Sequence, residues 1–216
     1  MTTLVRRQTR RALFALVCVG AVAFGPGGCA SSGAGAGAPG DASPEEFAKW
    51  RAERLAQAQK LAERAEREDD LAEKEALLRD AVDLFPQHSA FWTNLGAVLA
   101  ARNDYASAAE AFGLASELDP TDPRPAYNHG ALYVRRYWYQ PAIPHFEQAL
   151  GRDPNYLNAI RGLARTRVVL RDFDSDLVDL LDRAVLLESD ERWLAYFQRQ
   201  RVAVRAEMDR TGIEDE

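Results

Sequence analysis

Residues of several types recur in this sequence at an interval of 34 residues. A fixed period of roughly 20 to 50 residues is typical of chains built from stacked copies of one small unit, because each copy buries its apolar face against its neighbours. Gly and Pro fall between segments with a helical apolar pattern, and no run alternates strictly as a half-buried strand would, so the unit is predicted to be helical. The recurring sets are Pro86, Pro120 and Pro154; Ala81, Ala115 and Ala149; Leu78, Phe112 and Phe146; and the pairs Gly96 and Gly130, Tyr105 and Tyr139, and Ala108 and Ala142.

These residues resemble the signature of the tetratricopeptide repeat, a 34-residue unit of two helices. Residues 89–122 and 123–156 carry that signature clearly. The matching residues are Trp92, Leu95, Gly96, Tyr105, Ala108, Phe112, Ala115 and Pro120 in the first copy, and Gly130, Tyr133, Tyr139, Ala142, Phe146, Ala149 and Pro154 in the second. The resemblance implies an all-α fold in which antiparallel helix pairs stack into a superhelix, an α-solenoid.

Two degenerate copies flank the clear ones. Residues 55–88 keep the apolar and proline positions but carry Lys74 where the family has alanine. Residues 157–188 match once a single residue is inserted near 171–174. With these copies, the predicted repeat array covers residues 44–188.

Both ends of the array carry terminal signals. Ser43 and Glu46 have the spacing of a capping box around Pro44, so the first helix is predicted to begin there. Residues 189–216 are predicted to form a capping helix and tail, because the last unit of a stack must present a polar outer face.

The first 28 residues are predicted to be an export signal. Every charged side chain there is an arginine, and the apolar run at 12–24 is shorter than the roughly 20 residues that a membrane span needs. Cys29 resembles the acceptor cysteine of a bacterial lipoprotein, and Ala30 after it resembles the outer-membrane sorting pattern, with the protein facing the periplasm. Pro26 stands where such signals carry leucine. Ordinary cleavage after Ala23 or at an Ala-Gly-Ala further on, which would give a soluble periplasmic or secreted protein, is the alternative.

Residues 29–43 are rich in Gly, Ala and Ser and are predicted to be a flexible linker. Cys18 lies inside the apolar run, so removal of the signal would leave Cys29 as the sole cysteine. A single cysteine excludes an internal disulfide and a C-x-x-C metal or redox site. A paired-arginine motif at 9–14 leaves both the Sec and the twin-arginine export routes open.

Charge excludes nucleic acid as a partner. Without the four arginines of the signal, 23 basic residues remain against 33 acidic ones. A chain this acidic lacks the basic footprint that a phosphate backbone requires.

The sequence carries no motif for a metal, a cofactor or catalysis: H-E-x-x-H, G-x-S-x-G and a phosphate-binding glycine loop are all absent. We therefore expect a protein that is not an enzyme and has no cofactor. His129 falls at a packing position where the family usually has leucine, and His88 and His145 are predicted to be solvated.

The resemblance implies a groove lined by the first helix of each repeat. Asparagine can bond a peptide backbone and arginine can bind a carboxylate in a forked geometry, so the groove is predicted to bind an extended or acidic peptide segment. Trp138 is a candidate exposed anchor for a partner or for lipid headgroups, or else covers the neighbouring loop. The candidate groove residues are Asn94, Tyr127, Asn128, Arg135, Arg161 and Arg165.

The function expected from these features is a non-catalytic adaptor of the bacterial cell envelope, attached to the membrane through a lipid on Cys29. One alternative is a self-associating structural lipoprotein that forms a dimer through Phe47 and Trp50 or through the C-terminal helix. Another is an accessory subunit of an enzyme complex. The partner, the pathway and the oligomeric state stay open.

Overall fold

The computed structural model describes residues 42–212, and in this range the chain forms nine α-helices and no β-strand. The export signal, Cys29 and most of the linker lie outside the described residues. None of the nine helices is both long and apolar enough to cross a membrane. Their bounds are α1 Pro44–Arg67, α2 Leu71–Leu84, α3 Ser89–Ala101, α4 Tyr105–Leu118, α5 Pro123–Arg135, α6 Tyr139–Arg152, α7 Leu157–Leu170, α8 Ser175–Leu187 and α9 Glu191–Thr211.

The helices pack as consecutive pairs. Each helix contacts the next one along the chain, and the first helices of successive pairs also contact one another, α3 with α5 and α5 with α7. α3 and α5 begin at Ser89 and Pro123, and α4 and α6 begin at Tyr105 and Tyr139, so both kinds of helix recur at the 34-residue interval. The predicted all-α repeat fold is therefore confirmed.

Local signals in the sequence set the helix ends. At the start of α1, the Glu46 N–H donates to Ser43 Oγ and the Ser43 N–H donates to the Glu46 carboxylate, at 3.3 and 2.9 Å. This is the predicted capping box. The last helix starts at Glu191, where the Asp190 carboxylate accepts hydrogen bonds from the first backbone N–H groups of α9.

The turn between α7 and α8 spans residues 171–174, one residue more than the equivalent turns at 102–104 and 136–138. The inserted residue required by the sequence pattern therefore lies in a turn. Arg167 of α7, a largely buried arginine, pairs with both Asp172 and Asp174 and so fastens the longer turn to its own repeat. The Asp174 carboxylate also caps α8 by accepting the Leu177 N–H at 2.8 Å.

Alanine and glycine occupy the contacts between helices, and one phenylalanine ring fills the space that they leave in each clear repeat. Small side chains allow helix axes to approach closely. A methyl group placed on Gly96 would lie 2.7 Å from the ring of Phe112, and one placed on Gly130 or Gly162 would lie 2.8 or 2.7 Å from the ring of Phe146. Each ring therefore lies directly against helix backbone. The fully buried alanines of α4 and α6 are Ala108, Ala115, Ala142 and Ala149.

The larger buried apolar residues form two clusters that divide at α5. The first draws on α1 to α4 and on Leu132 of α5. The second draws on α6 to α9, with Tyr127 and Tyr133 of α5 packed against it. α5 is therefore the helix that joins two parts of the core.

The histidines depart from the sequence expectation. His145 is half-buried, because its ring stacks on His129 with 4.0 Å between centroids, and Tyr133 stacks on both rings. His88 is half-buried as well and stacks on Phe91 at 4.3 Å. The prediction that His88 and His145 are solvated is wrong, because neighbouring aromatic rings cover them. Burial, together with the charge of His145, lowers the pKa of His129 to about 4.

We expect the free energy of unfolding to fall as the pH drops from 6.5 towards 4. Above pH 6.5 His129 is neutral in both states. Below it the unfolded chain binds a proton while the folded chain stays neutral until about pH 4. Because the ring is partly solvated, we expect the loss for this residue to be on the order of 1 kcal/mol.

Thermal melts of the wild type and of His129→Leu at pH 7 and pH 5 measure this effect. The difference in Tm between the two pH values should be smaller in the variant. The pKa of His145 is also lowered by burial, so some dependence should persist. An equal difference in both proteins would show that His129 does not titrate as its burial requires.

Candidate partner-binding groove

The face formed by the first helices carries a groove of about 430 Å³ between α5, α7 and the start of α9. We call this the α5–α7–α9 groove. Four of the six residues predicted to bind a partner lie in it, which shows that the repeat geometry brings them together. Its polar and aromatic lining residues are Tyr127, Arg135, Arg161 and Arg165 from that prediction, and Asn158, Thr166, Tyr137, Tyr139, Phe146 and Trp193 in addition.

Arg161 forms a forked ion pair inside the chain. Its Nε and Nη2 atoms donate to the two carboxylate oxygens of Glu188 at 2.8 and 2.6 Å. The Glu188 side chain is fully buried and also accepts the N–H groups of Ser189 and Asp190. The hydrogen bonds from Arg161 hold the pKa of Glu188 below its ordinary value. Arg161 therefore positions the wall of the groove, since its forked donors already bind a carboxylate.

Arg135 and Arg165 differ from Arg161. Both side chains are exposed, and neither forms an ion pair with any residue between 42 and 212. No acidic side chain lines the part of the groove that the structure describes. A positively charged groove with two arginines available to a ligand therefore lies in a chain whose acidic residues outnumber its basic ones.

Two aromatic residues form the floor of the groove. Tyr127 is half-buried and packs against Phe146 and, edge on, against Tyr156, with centroid distances of 5.9 and 5.7 Å. Burial raises the pKa of Tyr127, so its hydroxyl stays protonated and can donate a hydrogen bond. Trp193 lies beneath the guanidinium of Arg161, 5.1 Å from it. These rings give the groove an apolar surface between its charges.

Trp193, Tyr137 and Tyr139 are groove residues that the sequence reasoning missed. The apolar face of α9 buries Phe197 and Met208, and Trp193 stacks on Phe197 with 5.6 Å between ring centroids. The angle at which α9 packs also brings Trp193 to the edge of the groove. Nothing in the sequence sets that angle, because α9 has no counterpart in the repeat pattern.

Neither asparagine is among the residues that line the α5–α7–α9 groove. Asn94 lines a separate groove of about 200 Å³ between α1, α2 and α3, together with Lys74 and Glu66. Asn128 is half-buried on α5 and is not among the residues that line either groove. Asn94 is therefore separated from the arginines with which it was grouped, whereas Asn128 shares α5 with Tyr127 and Arg135.

Trp138 occupies the turn between α5 and α6, where it is partly covered and partly exposed. The guanidinium of Arg136 lies 4.1 Å from its ring centroid and 5.3 Å from that of Tyr105, so the turn is partly covered. About half of the Trp138 side chain, 48%, stays exposed.

No cluster of three or more His, Cys, Asp or Glu side chains suited to holding a metal ion occurs between residues 42 and 212. Arginine, tyrosine, asparagine and tryptophan supply the chemistry of the groove. These groups bind carboxylates, backbone amides and apolar side chains.

No protein-family model matches the sequence. Among curated proteins, "Tetratricopeptide repeat protein 37" of Xenopus laevis is 28% identical over 114 residues, which are 50% of this chain and 7% of that protein. The chain spans less than a tenth of the length of the curated relatives it matches.

Solved structures with the same helix arrangement extend the likeness. Yeast Tom70 aligns with a TM-score of 0.60 and 20% identity over 72% of this chain and 34% of that one. The first tetratricopeptide domain of Spaghetti (RPAP3), bound to the HSP90 peptide SRMEEVD, aligns with a TM-score of 0.50 and 19% identity over 54% and 95%. The chain therefore has a tetratricopeptide-like, all-α repeat fold.

Proposed function

We propose that this chain is a non-catalytic adaptor that binds an extended, acidic segment of a partner protein in the α5–α7–α9 groove. The observation that carries the proposal is that Arg135 and Arg165 face the groove without an ion pair to any described residue. A carboxylate from a partner would form an ion pair with either arginine, because arginine binds carboxylates through charge-assisted, forked hydrogen bonds. The solved neighbour that holds an HSP90 peptide supports a peptide segment as the class of ligand.

The distribution of charge supports the same ligand. Acidic side chains on the second helices would repel an acidic segment, whereas the groove would attract it, and such complementarity favours one binding position over others. These second-helix acids include Glu110, Glu117, Glu147, Asp179 and Asp182.

We also propose that the adaptor acts in the bacterial cell envelope, held there by a lipid on Cys29. The support is the N-terminal sequence, with its arginines, its short apolar run and the linker at 29–43. Mass analysis of the N-terminal peptide from native membranes distinguishes an acylated Cys29 from cleavage after Ala23.

Selection from a phage-displayed library of random dodecapeptides on the purified full chain tests the groove. We expect enrichment of peptides rich in Asp and Glu. Arg165→Gln and Arg135→Gln should each weaken binding of a selected peptide about tenfold, since a hydrogen bond to a charged group is worth roughly 1.5–3 kcal/mol. Titration by fluorescence anisotropy gives the Kd.

Arg199→Gln is the matched control, because Arg199 is an exposed arginine of α9 that does not line the groove. Its Kd should equal that of the wild type. Selected peptides without acidic residues, or equal affinities for all three variants, would overturn the proposed function.

The self-association alternative has an observation in its favour. Phe47 is 42% exposed and stacks on Trp50 at 5.6 Å near the start of α1. Sedimentation equilibrium decides between the two functions: a dimer that dissociates in Phe47→Ala would favour the structural role, and a monomer would remove it.

A further inference from the structure

The turn between α5 and α6 holds a tyrosine in a backbone conformation that tyrosine disfavours. Tyr137 has φ 60°, in the left-handed region. Asn103 and Arg171, one repeat before and one after it, have φ 67° and 56°, so this conformation belongs to the turn in all three repeats. A side chain with a Cβ is strained there, and asparagine is the residue that tolerates it best after glycine. The backbone therefore does not explain a tyrosine at this site.

The side chains at the other two positions make contacts that stabilise the turn, and that of Tyr137 does not. The Asn103 side chain accepts a hydrogen bond from the Tyr105 hydroxyl at 2.7 Å, and Arg171 pairs with Glu207 at 3.1 Å. Tyr137 makes an edge contact with Tyr139 at 6.4 Å, and its hydroxyl bonds no residue of the described range. Its side chain is 79% exposed. Backbone hydrogen bonds close this turn, from the Tyr137 N–H to the Val134 carbonyl at 2.9 Å and from the Trp138 N–H to the Tyr133 carbonyl at 3.0 Å, so the Tyr137 side chain contributes nothing that the turn needs.

Tyr137 and Tyr139 line the same end of the α5–α7–α9 groove as Arg135. An aromatic ring left in water gains free energy when an apolar side chain covers it, whereas Arg135 requires an acid. The tight turn limits the positions open to the ring before a ligand arrives, and a group already ordered loses little entropy on binding. The two adjacent residues therefore suit a segment with an acidic residue beside an apolar one.

We propose that Tyr137 is a specificity-determining residue of the groove, which selects partner segments that carry proline or an aliphatic residue next to an acidic one. The inference rests on the proposed function and adds an apolar residue to the acidic one in the segment that the groove would bind. Strain retained at an exposed residue is a feature that clusters at binding sites.

The test is an array of decapeptides in which an Asp-Asp pair is fixed and each flanking position is varied through the twenty amino acids, probed with the full chain. The wild type should prefer Pro, Leu, Ile or Val beside the acids. Tyr137→Asn should bind those peptides about tenfold more weakly and bind glycine-flanked peptides as the wild type does. The same substitution should raise the Tm by roughly 2–4 °C, because it removes strain from the turn.

Two further variants separate the effect of the Tyr137 ring from other effects of the substitution. Tyr137→Phe should keep the flank preference, since it keeps the apolar ring. Arg171→Asn changes the equivalent position of the next repeat, which does not line the groove, and should leave the array pattern unchanged.

The outcomes separate the two proposals. If the wild type binds no acidic peptide, the proposed function fails and this inference fails with it. If the wild type binds acidic peptides and Tyr137→Asn keeps the same flank preference, the role of Tyr137 alone is overturned. A Tm that is unchanged or lower in Tyr137→Asn would show that the turn is not strained by its tyrosine.

Discussion

Replacing Phe146 by alanine should lower the free energy of unfolding by about 3–5 kcal/mol, the range for removing a buried aromatic ring. Phe146 is 1% exposed, and its ring lies against the backbone of Gly130 in its own repeat and of Gly162 in the next. Side chains can move into a cavity more easily than helix backbones can. The space left by the ring should therefore stay largely empty, and the cost should be near the upper end of the range. Urea unfolding followed by circular dichroism measures it.

The two glycines provide a second measurement of the same contact. In the wild type, Gly162→Ala should destabilise, because its methyl group would lie 2.7 Å from the ring. In the Phe146→Ala background the methyl group would enter empty space, and alanine favours a helix over glycine by about 1 kcal/mol, so the same change should stabilise.

Phe47→Ala is the matched control, since Phe47 is an exposed phenylalanine of α1, and its cost should stay below about 1 kcal/mol. A loss below about 1 kcal/mol in Phe146→Ala, or the same sign for Gly162→Ala in both backgrounds, would contradict this account of the packing.

Glu188→Gln should destabilise the chain by about 2–4 kcal/mol, near the cost of breaking a buried ion pair by removal of one partner. The Glu188 carboxylate accepts hydrogen bonds from Arg161 and from the N–H groups of Ser189 and Asp190. An amide has only one acceptor oxygen for this set, and its NH₂ group would face other donors. The start of α9 should also loosen, because Asp190 caps that helix. Chemical unfolding at neutral pH gives the value.

Glu63→Gln is the control, because it breaks the ion pair between Arg67 and Glu63, whose side chains are 78% and 62% exposed. Its loss should cost less than about 0.5 kcal/mol. The lowered pKa of Glu188 adds a check with a defined sign: the stability it contributes is present above its ordinary pKa of 4.5 and lost as the pH falls below that value. Equal effects of the two glutamine variants would show that Glu188 is not the buried partner of Arg161.

The features that repeat or act locally could be predicted from the sequence. The capping box at Ser43 depends on residues three positions apart, and the inserted residue at 171–174 shows as a shift in a regular pattern. Four of the groove residues could be placed because a repeat assigns equivalent positions to equivalent faces. The 34-residue period is therefore enough to predict the fold and the location of the groove.

The contacts that decide what each groove residue does could not be predicted in this way. Glu188 stands where the clear repeats have proline, so nothing marked it as the partner of Arg161, 27 positions earlier in the chain. Trp193 reaches the groove through the packing angle of an unrepeated helix. His145 is half-buried by His129 and Tyr133, a stack that depends on three side chains meeting between two helices. Such contacts join residues outside the repeated pattern, and the period says nothing about them.

The division of the core at α5 also bears on how this molecule would come apart. Cooperative unfolding units follow continuous buried clusters, and the larger clusters here place α1 to α4 in one unit and α6 to α9 in the other. The α5–α7–α9 groove takes its lining from α5 onwards, so it belongs to the second unit. Unfolding of α1 to α4 would therefore leave intact the buried cluster beneath the α5–α7–α9 groove, as long as α5 stayed in place.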